Sequence, residues 1–273
     1  MAGLLYPRLY TADEASHSPH VLATRELLRP PVQRTRRTLE PFTRAWYEEL
    51  EMKRYLRQGA WLPRWLEFSR HSGESLLMLG PGLGTDALQY HRHGTEVTLA
   101  LGPDDDDEHL CDHLRLRGLE LPVVSAPDSA HLPMAAGRFD LVYWNALHTS
   151  IDLAAVSEEL YRVLKPGGKL FALFPARIDV DRWQRWLLPL RRLYRDREPR
   201  PTSAHKRTGH ELHEALAKFS ERRVRKRLLR RSELPHVWRW LPLNMMERLM
   251  GRVLAVRAFK PVNATAITLA AAA

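Results

Sequence analysis

The chain has 273 residues, a formal net charge of +10, 44% hydrophobic residues and one cysteine, Cys111. That length can bury a sizeable core, either as one large domain or as a domain with appendages. A lone cysteine excludes an intramolecular disulfide and a cysteine-held metal cluster. No apolar run approaches the roughly 20 residues that span a bilayer.

Taken in chain order, residues 1–70 are punctuated by Pro7, Pro19, Pro30, Pro31, Pro41 and Pro63. The opening MAGLLYPRLYTADEASHSP has proline and acids where a secretion signal needs a sustained apolar stretch, so a cytoplasmic location is expected. The first 38 residues read as a loop or loosely attached arm. A helix is expected from about Pro41 to Arg57, because proline suits a first helical turn. The apolar run Ser75 to Leu79 reads as a strand. It breaks into Gly80-Pro81-Gly82-Leu83-Gly84, and a helix is expected from about Thr85 and Asp86. Alternating glycines remove Cβ atoms that would block a ligand's approach, and a helix start offers free N–H groups. By itself the spacing also fits an ordinary glycine turn.

Glu96 to Leu101 reads as a second strand, Leu121 to Ser125 as a third and Phe139 to Tyr143 as a fourth. A helix is expected from Leu153 to Leu164, ended by Lys165-Pro166-Gly167-Gly168, followed by a strand from Lys169 to Phe174. Two more strands are expected near Arg222–Arg230 and Arg252–Lys260. Strands alternating with helices predict an α/β fold with a mostly parallel sheet and helices on both faces. Ligands of such sheets bind outside the carboxyl ends of the strands. Three regions follow: an arm and helical lead-in (1–70), a nucleotide-type core (71–180), and a basic cap with the closing strands (181–273).

Three segments carry a family resemblance: LLMLGPGLGTD, SAPDSAHLPMAAGRFDLVYWNALH and ELYRVLKPGGKLFALFP. Together they resemble a class I S-adenosylmethionine-dependent methyltransferase of the bacterial "methyltransferase type 11" kind, strongly over residues 43–175 and more weakly to Pro261. The resemblance implies a Rossmann-like seven-stranded sheet whose last strand is antiparallel, with N-terminal helices and a helical cap. It implies S-adenosylmethionine as cofactor and assigns Gly80, Gly82 and Gly84 to the loop around its methionine and ribose portions. The family's carboxylate two residues before the first glycine is Met78 here. Its ribose-binding carboxylate at the end of the second strand is Leu101 (Ala100 if the alignment slips by one). One of Asp104 to Asp107 could bend back to serve the ribose. The run also reads as the acidic start of the next helix.

Asp128 matches the acid that accepts from the adenine amino group, with the Ser129 N–H meeting a ring nitrogen, although Asp128 also fits a simple turn. Trp144, Asn145 and His148 fall where the family lines the mouth between cofactor and acceptor. His148 has the pKa range of a general base, and it also reads as a structural histidine.

Charge is uneven. Residues 181–260 hold 22 Lys and Arg against 8 Asp and Glu, so the rest of the chain is net acidic. A solvated basic surface, an anionic acceptor and anionic lipid all fit that balance. The stretch from Asp181 to Arg195, with Trp183 and Trp186 among arginines, reads either as a membrane-interface face or as a lid helix packing on the core. No module that reads nucleic acid is present in the sequence, so nucleic acid is not an expected partner. The expected function is methyl transfer from S-adenosylmethionine to a small-molecule or lipid-like acceptor, in the cytoplasm or peripheral to the membrane. The alternative is a non-catalytic relative that lost cofactor affinity with both carboxylates. An NAD-linked oxidoreductase fits less well, because the spacing is GxGxG and not GxGxxG.

Overall fold

The computed structural model describes residues 39–103, 105–147, 152–187, 205–234 and 238–262. The arm expected over residues 1–38 lies outside them. Helix α1 (Arg44–Met52) continues into a π-helix (Lys53–Gln58), then a short α2 (Leu62–Leu66) and a 3-10 turn (Phe68–Arg70). The core follows as β1 (Ser75–Leu79), α3 (Thr85–Arg92), β2 (Glu96–Leu101), α4 (Asp107–Leu116), β3 (Val123–Ser125), β4 (Phe139–Asn145), α5 (Leu153–Val163) and β5 (Leu164–Pro175). The remainder is α6 (Val180–Leu187), α7 (Gly209–Ala215), β6 (Ser220–Arg227), a 3-10 turn (Arg231–Glu233), α8 (Leu243–Met250) and β7 (Val253–Phe259).

Seven strands form one sheet in the order β3-β2-β1-β4-β5-β7-β6. All pairs are parallel except those of β7, which runs antiparallel to both β5 and β6. This is the expected Rossmann-like architecture. The strand order reverses between β1 and β4, which places a crevice at their carboxyl ends. The side chains of β1 alternate between the two faces of the sheet. Leu77 and Leu79 join Val142, Trp144, Leu153, Val156 and Leu212 under α5 and α7. Leu76 and Met78 join Leu66, Phe68, Ala87, Tyr90, Leu110 and Tyr143 under α2, α3 and α4. Both faces are thus covered, which is why β1 reads as a continuous apolar run.

Three expected boundaries are corrected. Helix α1 starts after Thr43 and not at Pro41: Thr43 has extended backbone and its hydroxyl accepts from the Trp46 N–H, satisfying a donor that Pro41 cannot reach. Strand β4 runs on to Asn145. Strand β5 begins at Leu164, so Lys165-Pro166-Gly167-Gly168 forms an irregular excursion within it. Gly167 there has φ +80°, and a Cβ on Gly168 would lie 2.8 Å from the Lys165 carbonyl oxygen and 3.0 Å from that of Asp140. Only glycine fits that crossing. Lys165 Nζ donates to both Asp140 carboxylate oxygens at 2.8 Å, pinning the excursion to β4. The edge strand β6, SERRVRKR, carries charges that discourage further strand pairing.

Candidate functional site

The three glycines of the loop after β1 all have positive φ, but for different reasons. At Gly80 a Cβ would run into the carbonyl oxygen of Asn145, so this glycine lets β1 and β4 close up. At Gly84, the N-cap of α3, a Cβ would lie 2.6 Å from Leu110 Cδ1 of α4. At Gly82 a Cβ would meet nothing within 4 Å. Gly82 alone therefore presents bare backbone to open space. The crest of the loop is braced from behind. Leu83 packs on Tyr47 and Leu50 of α1, and its carbonyl accepts from His113 Nδ1 at 2.6 Å. Tyr47 stacks on the His113 ring at 4.0 Å between centroids.

At the end of β2, Leu101 is half-buried and offers no polar group. The carboxylate of Asp105 folds back to this point, and its Oδ2 accepts from the Gly102 N–H at 2.8 Å. A Cβ on Gly102 would lie 3.6 Å from that oxygen and 3.9 Å from Ser129 Oγ, so strand end, acid and serine hydroxyl converge. Asp128 is exposed, and its carboxylate accepts from Ala130 N at 2.9 Å and meets His131 Nδ1 at 2.8 Å. The His131 contact, followed by the Ala130 N–H, holds Asp128 below the ordinary carboxylate pKa. Ser129 is half-buried beside it.

Asn145 closes β4 at 8% exposure, and its side-chain Oδ1 is buried without a hydrogen-bond partner among the described residues. An orphaned buried acceptor is costly unless something donates to it. It lies on the residue whose carbonyl abuts Gly80. Trp144 does not line the mouth: it is 1% exposed and packs edge-on against Phe174 at 4.9 Å, in the core. Its side of β4 faces the cluster under α5 and α7. His148, the candidate base, lies outside the described residues. Just past them, an open hollow of about 730 Å³ lies between the start of α5 and α7, lined by Asp152, Leu153, His205, Arg207 and Glu211 among others. Arg207 holds its wall by backbone pairing with Pro175 and Arg177, at the carboxyl end of β5.

Met78 is fully buried and pairs in register with Tyr143. The acid on this side of β1 comes instead from the first turn of α3. Asp86 accepts from Arg54 Nε at 2.8 Å and Nη2 at 2.5 Å, from the Tyr55 hydroxyl at 2.5 Å and from the Tyr143 hydroxyl at 2.7 Å. Burial pushes the Asp86 pKa up, but the Arg54 charge and the three donors outweigh it and hold the carboxyl below its ordinary value. Burial raises both tyrosine hydroxyls well above theirs, reinforced by the Asp86 charge. The wider winding of the π-helix presents Arg54 and Tyr55 together to one carboxylate, and such windings recur at functional sites. Sequence reasoning missed this cluster. Its only local sign is an Arg-Tyr pair in a polar stretch of the lead-in.

Residues 77–172 match the family model described as "Methyltransferase domain". A comparison with curated proteins found no match. Among solved structures, an S-adenosylmethionine dependent methyltransferase from Mesorhizobium loti superposes with a TM-score of 0.50 at 20% identity, over 74% of this chain and 98% of that one. The PH0226 protein from Pyrococcus horikoshii gives 0.50 at 15% identity, over 81% and 93%. A chain of the Haloferax volcanii complex containing the Trm112 methyltransferase activator gives 0.51 at 18% identity, over 81% and 98%. At these identities the likeness is one of fold.

Proposed function

We propose that this chain, a class I S-adenosylmethionine-dependent methyltransferase by its domain and fold, transfers a methyl group to a small-molecule or lipid-like acceptor at the carboxyl ends of β1, β2 and β4. The observation that carries the reading is the bare backbone of Gly82, facing open space in a loop whose Gly80 abuts Asn145, the residue with the buried, unpartnered Oδ1. Those features fit the cofactor. When bound, S-adenosylmethionine supplies a methyl group already activated by a sulfonium centre. In this reading the N–H groups of Gly82 and Leu83 and the Asn145 side chain hold the methionine end. Asp105 takes the ribose hydroxyls in place of Leu101, and the loop at Asp128 and Ser129 takes the adenine. Holding the acceptor in line supplies much of the acceleration, and His148 is the candidate to remove a proton from it. The hollow between α5 and α7 is the acceptor side.

Titration calorimetry with S-adenosylmethionine and S-adenosylhomocysteine tests the reading: both bind saturably, and Gly82→Val abolishes binding while the protein stays folded. Silence at millimolar ligand would favour the second reading, a non-catalytic relative, for which the buried Met78 and the apolar Leu101 speak. An unchanged affinity in Gly82→Val would remove the site from this loop.

A further inference from the structure

The cap beyond β5 has an internal core and an unexplained outer face. Val180, Leu229, Leu234, Met246 and Met250 pack together, and Trp183 meets Trp238 at 6.5 Å. The Trp183 side of α6 therefore packs on this local core, and residues 188–195 of the stretch read as a membrane face or a lid helix lie outside the described residues. Trp186 is outside the described side chains. Helix α8 buries Met246 and Met250, yet the neighbouring i, i+4 pair Met245 and Leu249 is 45% and 46% exposed. A surface helix normally turns polar residues outward. Trp240, in the turn before α8, is 76% exposed, and Ile178, just past β5, is 44% exposed. Lys226 Nζ donates at 3.0 Å to the carbonyls of both Ile178 and Leu249, so these two residues are neighbours.

The acids of this region are held in ion pairs. Asp179 is taken by Lys206, Asp181 and Glu233 by Arg252, and Glu247 by Arg227. Arg182, Arg231 and Arg248 stand exposed. Strand β6 ends, and the antiparallel β7 begins, at the same sheet edge as the glycine loop. The face thus borders the edge where an acceptor would enter.

We infer that Ile178, Trp240, Met245 and Leu249, collared by Arg182, Arg231 and Arg248, dock on a bilayer surface containing anionic lipid. Tryptophan and aliphatic side chains enter the interface while arginines meet phosphates. The inference stands apart from methyl transfer, since its readout is vesicle binding and not cofactor calorimetry.

Co-sedimentation with phosphatidylcholine vesicles, with and without phosphatidylglycerol, tests it. The protein should pellet with the anionic vesicles alone. Replacing Trp240, Met245 and Leu249 by serine should weaken partitioning by more than about tenfold. Arg248→Gln should weaken it about fivefold, the equivalent of one cation near an anionic surface. All these side chains are exposed, so melting temperatures should hold. Equal recovery in both supernatants would overturn the inference, as would a serine variant that pellets like the parent. A dimer in sedimentation velocity that Leu249→Ser dissolves would assign the face to a second copy instead.

Discussion

Two stretches of one sheet edge treat charge in opposite ways. At the ends of β1 and β2, ionic groups turn inward: Arg54 and Asp86 pair at 11% and 5% side-chain exposure, and Asp105 bends onto Gly102. Beyond β5, Arg227 and Arg252 pair with acids, but Arg182, Arg231 and Arg248 turn outward near exposed apolar side chains. Burial decides what each charge is worth. A buried pair fixes geometry because breaking it strands a charge away from water. An exposed cation stays hydrated, contributes little to folding and remains available to a partner. The first arrangement suits a preorganised small-molecule site, and the second suits an adaptable contact surface.

The sharpest way to break that contrast is Arg54→Ala, which leaves Asp86 buried without its cation. Urea unfolding should show a loss of about 3–5 kcal/mol. Removing Lys218, whose pair with Glu158 is more than half exposed on both sides, should cost less than about 1 kcal/mol. Similar losses in the two variants would erase the distinction between inward and outward charge.

Asp105→Asn comes next in size. The amide keeps an acceptor for the Gly102 N–H but loses the charge, so calorimetry should show S-adenosylmethionine binding about ten- to a hundredfold weaker, with stability little changed. An unaltered affinity would leave the ribose without the proposed partner.

The smallest effect is a pH slope at the other end of the sheet. Burial pushes the Asp140 carboxyl up, but Lys165 and Ser75 bring it from its ordinary 3.8 down to about 2. A depressed folded-state pKa adds stability that is fully present above the unfolded value and is lost as pH falls from about 4 through 2. Asp140→Asn should flatten the stability profile within that window and leave its shape above pH 5 unchanged, as followed by urea titrations across pH.

Much of the core was legible locally. The strands at Ser75–Leu79 and Glu96–Leu101 have their expected bounds because each is an apolar run cut off by glycine. The end of β4 and the start of β5 were not, because Asn145 looks like a loop residue until Leu173 of β5 pairs with it, and Lys165 until Asp140 of β4 takes its ammonium. The glycine loop was recognisable from its spacing. The division of labour within it was not, since what a Cβ would strike at Gly80 or Gly84 lies on β4 or α4, far along the chain.

The sequence by itself determined the alternation of strands and helices, the glycine loop and the basic bias of the last third, because each is written in neighbouring residues. Only the tertiary structure decided that Asp86 is held by Arg54, Tyr55 and Tyr143, and that Asp105 is the acid that folds back to the end of β2. It also decided that Trp183 turns inward while Trp240 turns out. The Asp86 and Trp183 contacts join distant segments, while the Asp105 contact spans three residues, and what each is worth depends on burial, which no local pattern records.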